Sequence, residues 1–412
     1  MVQDIERAVS AYKRRLKTSY IPFSMFEEYL LPPILEDEPL ENWREKCEKN
    51  FSFMQTWNIT TVCDTLNSLM SKGFSFNYGE TPARYLSWSH LDTLQKGDCF
   101  HMAKSVLYPL RALGYPCTID FVPCWGNTTG GHSWNVVYLD GKMVPFMGRE
   151  KGVYAYDPFR IYDFKDLRKV NPARYPGKVY RKTFSIDKEL QRRLKHVSVE
   201  NLPSFLSDYR IKDVTAEYLQ VSDVSVKVAD TIPVDEPVYL AVHSDDWMAT
   251  AYTESNNDRM AFFKDVKSEM LYMPVIYRRG KVFPVNDPFI VEEEGRIRFL
   301  NPDNAVEMCV VSYLLPLMQE YSTAVANRDR LPKDIFDRLY TGEKRKKPVN
   351  GEAYSIFYWK DNQWQYLDTK IAEKNRIVFP TVPQNALLYL ANKDRKFVGR
   401  CFTLNKGEMV WW

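Results

Sequence analysis

Two short motifs carry a thiol and an imidazole, Gly97-Asp98-Cys99 and His132-Ser133-Trp134. A cysteine sulfur attacks the carbonyl carbon of an amide or ester, and a histidine can take the thiol proton and return it to the leaving group. These residue types therefore indicate acyl-transfer chemistry, with Cys99 as nucleophile and His132 as base. The pair can work only if the fold brings these two distant residues together.

The cysteine stands at the start of a predicted helix. Asp98 is a favourable N-cap residue, and Gly114 is a natural residue to end the helix. Between them apolar residues recur with helical spacing, namely Cys99, Met102, Ala103, Val106 and Leu110. The amides of a helix N-terminus favour a thiolate and can bind a developing oxyanion. The carboxylate of Asp98 opposes the thiolate.

The histidine stands at the start of a predicted β-hairpin. Residues 132–139 alternate as in a strand, and Asp140-Gly141 is a strong signal for a two-residue turn. A turn at that place sets Met147 opposite Trp134 and Arg149 opposite His132. Met147 is then a diagonal neighbour of His132 on the same face of the hairpin.

This order of elements resembles the transglutaminase-like superfamily, whose core is papain-like. The resemblance covers about residues 50 to 185 and rests on the following residues: Gly97, Asp98, Cys99, Ala103, Leu110, Gly114, His132, Trp134, Gly141, Pro145 and Phe146. It implies that Cys99 is the nucleophile and His132 the general base. It also implies an aspartate on the adjacent strand as the third member of the site.

The third position departs from this pattern. Met147 stands where the family has its aspartate, and a thioether neither orients an imidazole nor stabilises an imidazolium. Either another group takes the third role or the site is catalytically impaired. Glu150 and Asp157 are the nearest acids downstream, and Glu150 is the predicted third catalytic residue if the chain bends at Gly148.

Four further residues are predicted to bind substrate: Trp88, Trp125, Asn127 and Trp134. Trp88 precedes the cysteine helix, where family members place an aromatic or amide group near the oxyanion, and the alternative is a core anchor. Trp125 and Asn127 belong to the glycine-rich loop of residues 125–131. That loop either lines a substrate cleft or is a plain connector.

The composition excludes several other classes of function. The chain has 412 residues and a net charge of +3, so it carries no charge excess that would indicate a nucleic-acid partner. Its 7 cysteines are scattered, and no Cys/His spacing indicates zinc. Phosphate-binding, dinucleotide-binding and HExxH motifs are missing, so we predict no metal and no cofactor. No apolar run is long enough for a membrane span.

The remaining chain predicts the domain organisation. A first amphipathic helix extends to about residue 18, with Ile5, Val9, Tyr12 and Leu16 on one stripe. Residues 1–202 form the transglutaminase-like domain, residues 203–318 a β-sandwich, and residues 319–412 a connector followed by a second β-sandwich. The predicted class is therefore α+β, with a papain-like N-terminal domain followed by two all-β domains.

Two functions fit the sequence. The first is a cysteine hydrolase, a protease, peptidase or amidase that cleaves an amide bond through an acyl-enzyme. The second is a catalytically impaired scaffold that binds peptide or carbohydrate. The expected partner is a peptide, protein or glycan, and the oligomeric state stays open. The resemblance favours an extracytoplasmic setting, although the numbering begins without a signal peptide.

Overall fold

The structure is a computed structural model. It describes residues 2–76, 82–83, 85–160, 173–244, 246–316, 319–320, 332–334, 338, 345–394 and 396–412. Most of the connector predicted over residues 319–338 lies outside these ranges. The described part confirms the α+β class, because helices dominate up to about residue 112 and antiparallel sheets dominate after it.

The N-terminal region is built around one buried helix. The helices are α1 (Val2–Arg15), α2 (Phe23–Tyr29), α3 (Trp43–Phe51), α4 (Ile59–Met70), α5 (Trp88–Leu94), α6 (Cys99–Ala112), α7 (Lys188–Leu194) and α8 (Thr215–Tyr218). Helix α6 is the buried one, and Asp98 is its N-cap as predicted. Gly114 ends it with a φ of 89°, and the Tyr115 and Gly114 amides donate to Leu110 and Arg111 carbonyls.

The first sheet supports the histidine. Its region contains β1 (Ser75–Phe76), β2 (Lys96–Gly97), β3 (Cys117–Val122), β4 (His132–Leu139), β5 (Lys142–Phe146), β6 (Tyr180–Lys182) and β7 (Ile211–Asp213). The last five strands form one antiparallel sheet in the order β5-β4-β3-β6-β7. The predicted turn is confirmed, since Leu139 pairs with Lys142 and Asn135 with Phe146. Asp140 and Gly141 have φ values of 49° and 87°, as a type I′ turn requires.

The first helix differs from its sequence prediction in length and in buried face. Helix α1 ends at Arg15, and Ile5 and Leu16 of the predicted stripe are exposed. The buried face carries Asp4 and Arg15 instead. Asp4 accepts a hydrogen bond from Arg44 at 3.0 Å, and Arg15 donates to the Leu113 carbonyl at 3.2 Å. Two charged side chains therefore share this buried face with Ala8 and Ala11, and each leaves one polar atom without a hydrogen-bond partner, Oδ1 of Asp4 and Nη2 of Arg15.

The middle region is a β-sandwich. Its strands are β8 (Val221–Lys227), β9 (Pro237–His243), β10 (Trp247–Glu254), β11 (Met260–Lys267), β12 (Met270–Arg278), β13 (Lys281–Pro284), β14 (Phe289–Val291) and β15 (Ile297–Phe299). One sheet has the order β10-β9-β12-β14-β15, with β13 also paired to β12, and the other pairs β11 with β8. Val224 and Val226 on β8 face Leu240 and Val242 on β9 across the core.

The last region is a second sandwich. Its strands are β16 (Val306–Val311), β17 (Ala353–Lys360), β18 (Gln363–Ile371), β19 (Ile377–Pro383), β20 (Leu388–Ala391), β21 (Phe397–Asn405) and β22 (Glu408–Trp411). Strand β16 pairs with β19, and the other sheet runs β18-β17-β20-β21-β22. Cys309, Ile356, Phe379 and Leu390 belong to the core between these sheets.

Two strands pair with strands on the other side of the predicted domain boundaries at residues 202 and 318. Strand β7, which follows residue 202, completes the first sheet by pairing with β6. Strand β16, which precedes residue 318, pairs with β19 of the last region. One hydrophobic cluster also contains Tyr180, Tyr239 and Trp359, which come from all three regions. The three regions therefore share buried surface.

Within the described residues, no helix is both long and apolar enough to cross a membrane.

Candidate active site

Cys99 is the first residue of α6, next to a fully engaged N-cap. One carboxylate oxygen of Asp98 accepts hydrogen bonds from the Phe100 and His101 amides at 3.0 and 3.2 Å. The same oxygen lies 2.7 Å from Nδ1 of His101. These two first-turn amides are therefore used by the helix cap in this structure, although the sequence assigned them to an oxyanion. Cys99 is half-buried, whereas the other six cysteines are buried.

His132 begins β4 and pairs with Val122 of β3. Its ring lies between two indoles, with centroid distances of 6.3 Å to Trp125 and 5.8 Å to Trp134. Burial and, to a lesser extent, the nearby Arg174 guanidinium lower the pKa of His132 to about 3, while the Asp98 carboxylate acts to raise it. The imidazole is therefore neutral at ordinary pH, and the same lowered pKa makes it a weaker base than a free histidine.

The cysteine and the histidine both border one hydrophobic cluster. Cys99 packs against the cluster that contains Trp125 and Trp134, the two indoles that flank His132. The influence of the Asp98 carboxylate on the pKa of His132 also links the start of α6 to the start of β4. Both residues therefore border the same small region, and their catalytic roles stay predictions.

Tyr156 contacts the histidine directly, and sequence reasoning missed it. Its hydroxyl oxygen lies 2.6 Å from Nε2 of His132, and the ring centroids are 6.5 Å apart. Tyr156 follows the hairpin in a segment without regular structure. No periodicity or turn signal indicates its approach. Only the search for a substitute for the missing aspartate pointed to this part of the chain.

Met147 and Glu150 lie in a tight turn that leaves the hairpin. The β4–β5 ladder ends at Phe146, so the predicted pairings of Met147 with Trp134 and of Arg149 with His132 are not part of it. Met147 instead exchanges backbone hydrogen bonds with Lys151, each at 2.9 Å, and its side chain is buried in the cluster. Glu150 is exposed within this turn. Its role as third catalytic residue stays a prediction.

The predicted substrate-binding residues occupy structural positions. Trp88 is buried in the helical core, where its Nε1 donates to the Ser105 carbonyl at 3.0 Å. Trp125 and Trp134 are buried in the cluster around the site. Asn127 donates to the Ala173 carbonyl at 2.9 Å and accepts from the Tyr175 amide at 2.8 Å. Substrate binding by these four residues stays a prediction, and it would require the indoles to become accessible.

A buried ionic network supports the site from behind. Asp120 on β3 pairs with Trp134 on β4 and with Arg181 on β6. The Tyr218 hydroxyl donates to the Asp120 carboxylate at 2.6 Å, and the indole Nε1 of Trp134 donates to the Tyr218 oxygen at 3.1 Å. This chain of hydrogen bonds fixes the indole of Trp134, which lies next to the His132 ring. Among the described residues, no group of three His, Cys, Asp or Glu side chains is arranged to hold a metal ion.

Comparison with known proteins gives one family match. Residues 59–147 match the sequence profile of the transglutaminase-like superfamily. No curated protein sequence matches the chain. A proposed cysteine protease from Cytophaga hutchinsonii is similar over 26% of this chain at 16% identity, with a TM-score of 0.23, and this chain covers 37% of that protein's length. Red sea bream transglutaminase is similar over 89% of this chain and 73% of its own, at 12% identity and a TM-score of 0.22.

The profile match contains the whole unit described above, from α4 through α6 to the end of the hairpin. The profile match therefore identifies residues 59–147 as a transglutaminase-like core, and this stretch contains both Cys99 and His132. The match ends at Met147, where the aspartate was expected, and Tyr156 lies beyond it.

Proposed function

We propose that the protein is a cysteine hydrolase that cleaves an amide bond through an acyl-enzyme on Cys99. The observation that carries this proposal is that the half-buried Cys99 thiol at the start of α6 and the neutral imidazole of His132 border the same cluster of indoles, within the segment that matches the transglutaminase-like profile. A neutral imidazole is the protonation state that a general base needs.

The proposed reaction has two halves. In the first, the Cys99 sulfur bonds to the carbonyl carbon while His132 takes the thiol proton, and the proton then passes to the leaving amine as the C–N bond breaks. In the second, His132 takes a proton from water, whose oxygen bonds to the acyl carbon. The C–S bond breaks and the thiol regains its proton.

Hydrolysis is proposed over cross-linking because the sequence lacks the acidic clusters of a calcium site. The proposed substrates are peptides or proteins, whose amide carbonyls suit a thiol nucleophile. The proposal names no amino acids for the two sides of the cleaved bond in the substrate.

The test is acylation of the full chain by p-nitrophenyl acetate, with nitrophenol release followed by absorbance and the acetyl adduct located by peptide mass spectrometry. We expect a burst of one equivalent on Cys99, lost in Cys99→Ala and strongly reduced in His132→Gln. His196→Gln is the matched control, because His196 is exposed and follows helix α7, outside residues 59–147. Acylation of wild type that is unaffected by His132→Gln would contradict the proposal.

A second candidate function is a catalytically impaired scaffold, and a specific observation favours it. Met147 occupies the position of the family's aspartate and is buried among apolar side chains, so no carboxylate there supports an imidazolium. Under this alternative, Cys99 reacts with p-nitrophenyl acetate no faster than a cysteine of the urea-unfolded chain, after correction for exposure. The same burst experiment therefore separates the two functions.

A further inference from the structure

We propose that Tyr156 is the positioning residue that takes the third role of this site by holding His132 through Nε2. The inference rests on the proposed function, because positioning matters for catalysis only if His132 accepts the Cys99 proton. The Tyr156 hydroxyl lies at hydrogen-bonding distance, 2.6 Å, from Nε2. The nitrogen through which His132 would act on the thiol is then Nδ1.

The chain before Tyr156 is fixed against the helical core. Val153 is buried in the cluster formed by α4 and α6. A Cβ at Gly152 would collide with the carboxylate of Asp64 on α4, so the backbone passes directly against that helix. A larger residue at this position would have to displace the Asp64 side chain. The loop therefore enters the site from a defined direction.

The chain after Tyr156 is fixed by aromatic contacts. The ring of Phe159 meets Trp125 and Trp134 edge to face, with centroid distances of 6.3 and 6.0 Å and an interplanar angle of 87° in both pairs. It also contacts Tyr218 at 5.7 Å. Such pairs add stability beyond the area they bury. Because both flanks are held, the hydroxyl is positioned before any substrate arrives.

The hydrogen bond has a consequence for the neutral imidazole. When Nε2–H donates to the Tyr156 oxygen, Nδ1 is unprotonated and can take the thiol proton. When the hydroxyl donates to Nε2 instead, Nδ1 carries the proton and cannot act as base. A carboxylate at position 147 would only accept and would enforce the first tautomer, whereas a hydroxyl allows both. Tyr156 thus fixes the orientation of the imidazole ring. The balance between the two tautomers also depends on the other groups around His132.

The charges around His132 determine how the proton moves. The groups that act on the ring are the Arg174 guanidinium, which opposes an imidazolium, and the Asp98 carboxylate, which favours it. The Tyr156 hydroxyl adds no charge. The imidazole therefore starts neutral, as a group that takes a proton from the thiol must.

The experiment compares Tyr156→Phe with wild type, and Tyr154→Phe is the matched control because Tyr154 is exposed. The acylation rate with p-nitrophenyl acetate is measured for each protein, and the His132 tautomer is read from imidazole ¹⁵N shifts with Cys99→Ala and His132→Gln used for assignment. We expect Tyr156→Phe to lower the limiting acylation rate about three- to tenfold without changing the concentration dependence. We also expect it to change the tautomer ratio of His132, while Tyr154→Phe changes neither.

The two readouts separate failure of this inference from failure of the proposed function. If wild type is not acylated but Tyr156→Phe still changes the tautomer ratio, the positioning contact stands and the hydrolase proposal falls. If wild type is acylated through Cys99 and Tyr156→Phe leaves both rate and tautomer unchanged, the inference on Tyr156 is overturned. Circular dichroism of each variant checks that the fold is intact, and Tyr→Phe removes only one oxygen.

Discussion

Arg181 forms a bidentate ion pair with Asp120 on the neighbouring strand of the first sheet. Its Nε donates to one carboxylate oxygen at 2.8 Å and its Nη2 to the other at 2.9 Å, and both side chains are buried. Arg181 also donates to Glu217 at 2.8 Å. Burial raises the pKa of Asp120, and the pairing with Arg181 opposes that rise. Through Tyr218, this pair supports the indole of Trp134 beside the candidate base.

Breaking this pair is expected to destabilise the protein strongly. Asp120→Asn leaves a buried guanidinium with a weaker partner, and Arg181→Met leaves a buried carboxylate without its main one. Loss of one partner of a buried pair costs about 3–5 kcal/mol, which urea unfolding of each variant measures.

The matched control is Arg192→Ala, because the pair of Arg192 with Glu189 is exposed to solvent and its loss should cost far less unfolding free energy. Equal losses for Arg181→Met and Arg192→Ala would show that the buried network contributes no special stability.

Asp98 is expected to act on both the helix and the thiol, and two variants separate these effects. Asp98→Asn keeps an amide oxygen for the helix cap and removes the charge, whereas Asp98→Ala removes both. We therefore expect Asp98→Ala to lose about 1 kcal/mol of unfolding free energy and Asp98→Asn only a few tenths.

Both Asp98 variants should react faster with iodoacetamide at Cys99, because the adjacent negative charge disfavours the thiolate. An effect on the order of 1 kcal/mol corresponds to about fivefold in rate at pH 7. The measurement is the alkylation rate of Cys99 by peptide mass spectrometry, with the six buried cysteines as internal references. A slower reaction in Asp98→Asn would contradict the electrostatic account.

The helix and the hairpin were predictable because local residues determine them. Asp98 and Gly114 mark the ends of α6, and the turn at Asp140-Gly141 fixes which residues of β4 and β5 face each other. The prediction of the pairings failed beyond Phe146, since the chain turns back at Met147. Arg149 adopts a φ of 69° in that turn, a left-handed conformation that an arginine does not predict.

Contacts between distant segments were not predictable. Tyr156 reaches His132 because Val153 and Phe159 are held by separate parts of the fold, and no local pattern encodes that arrangement. The buried face of α1 was predicted only in part, since Val9 and Tyr12 pack against the core whereas Ile5 and Leu16 are exposed. Arg15 is buried because the Leu113 and Trp57 carbonyls accept its hydrogen bonds, and these partners come from elsewhere in the chain.

Arg400 is expected to couple the three regions. Its guanidinium donates to the carbonyl oxygens of Gly126 at 2.9 Å and Trp412 at 2.6 Å, and also to those of His243 and Ser244. Arg400→Met leaves these carbonyls without that donor, at about 1–3 kcal/mol for each buried group that stays unsatisfied.

We expect Arg400→Met to lose about 3 kcal/mol or more in urea unfolding and Arg400→Lys to lose less, because an ammonium still donates. Arg279→Met is the control, since that side chain is 82% exposed. A loss below 1 kcal/mol for Arg400→Met would show that the regions hold together without this contact.

His243 is expected to make folding stability depend on pH. Burial lowers the pKa of His243 to about 3, with a further contribution from Arg400, whereas the unfolded chain titrates near 6.5. Above pH 6.5 the imidazole is neutral in both states and has no effect. As the pH falls from 6.5 towards 3, only the unfolded chain gains the proton, so unfolding becomes easier by up to about 1.4 kcal/mol per pH unit.

Urea unfolding at pH 7 and pH 5 measures this effect. The loss between these two values should be about 2 kcal/mol smaller in His243→Gln than in wild type, because glutamine does not titrate. His132 adds a similar contribution in the same direction, since its pKa is also lowered to about 3. If His243→Gln and wild type lose equal stability on acidification, the buried imidazole is not the group that senses pH, and another titrating group must account for the loss.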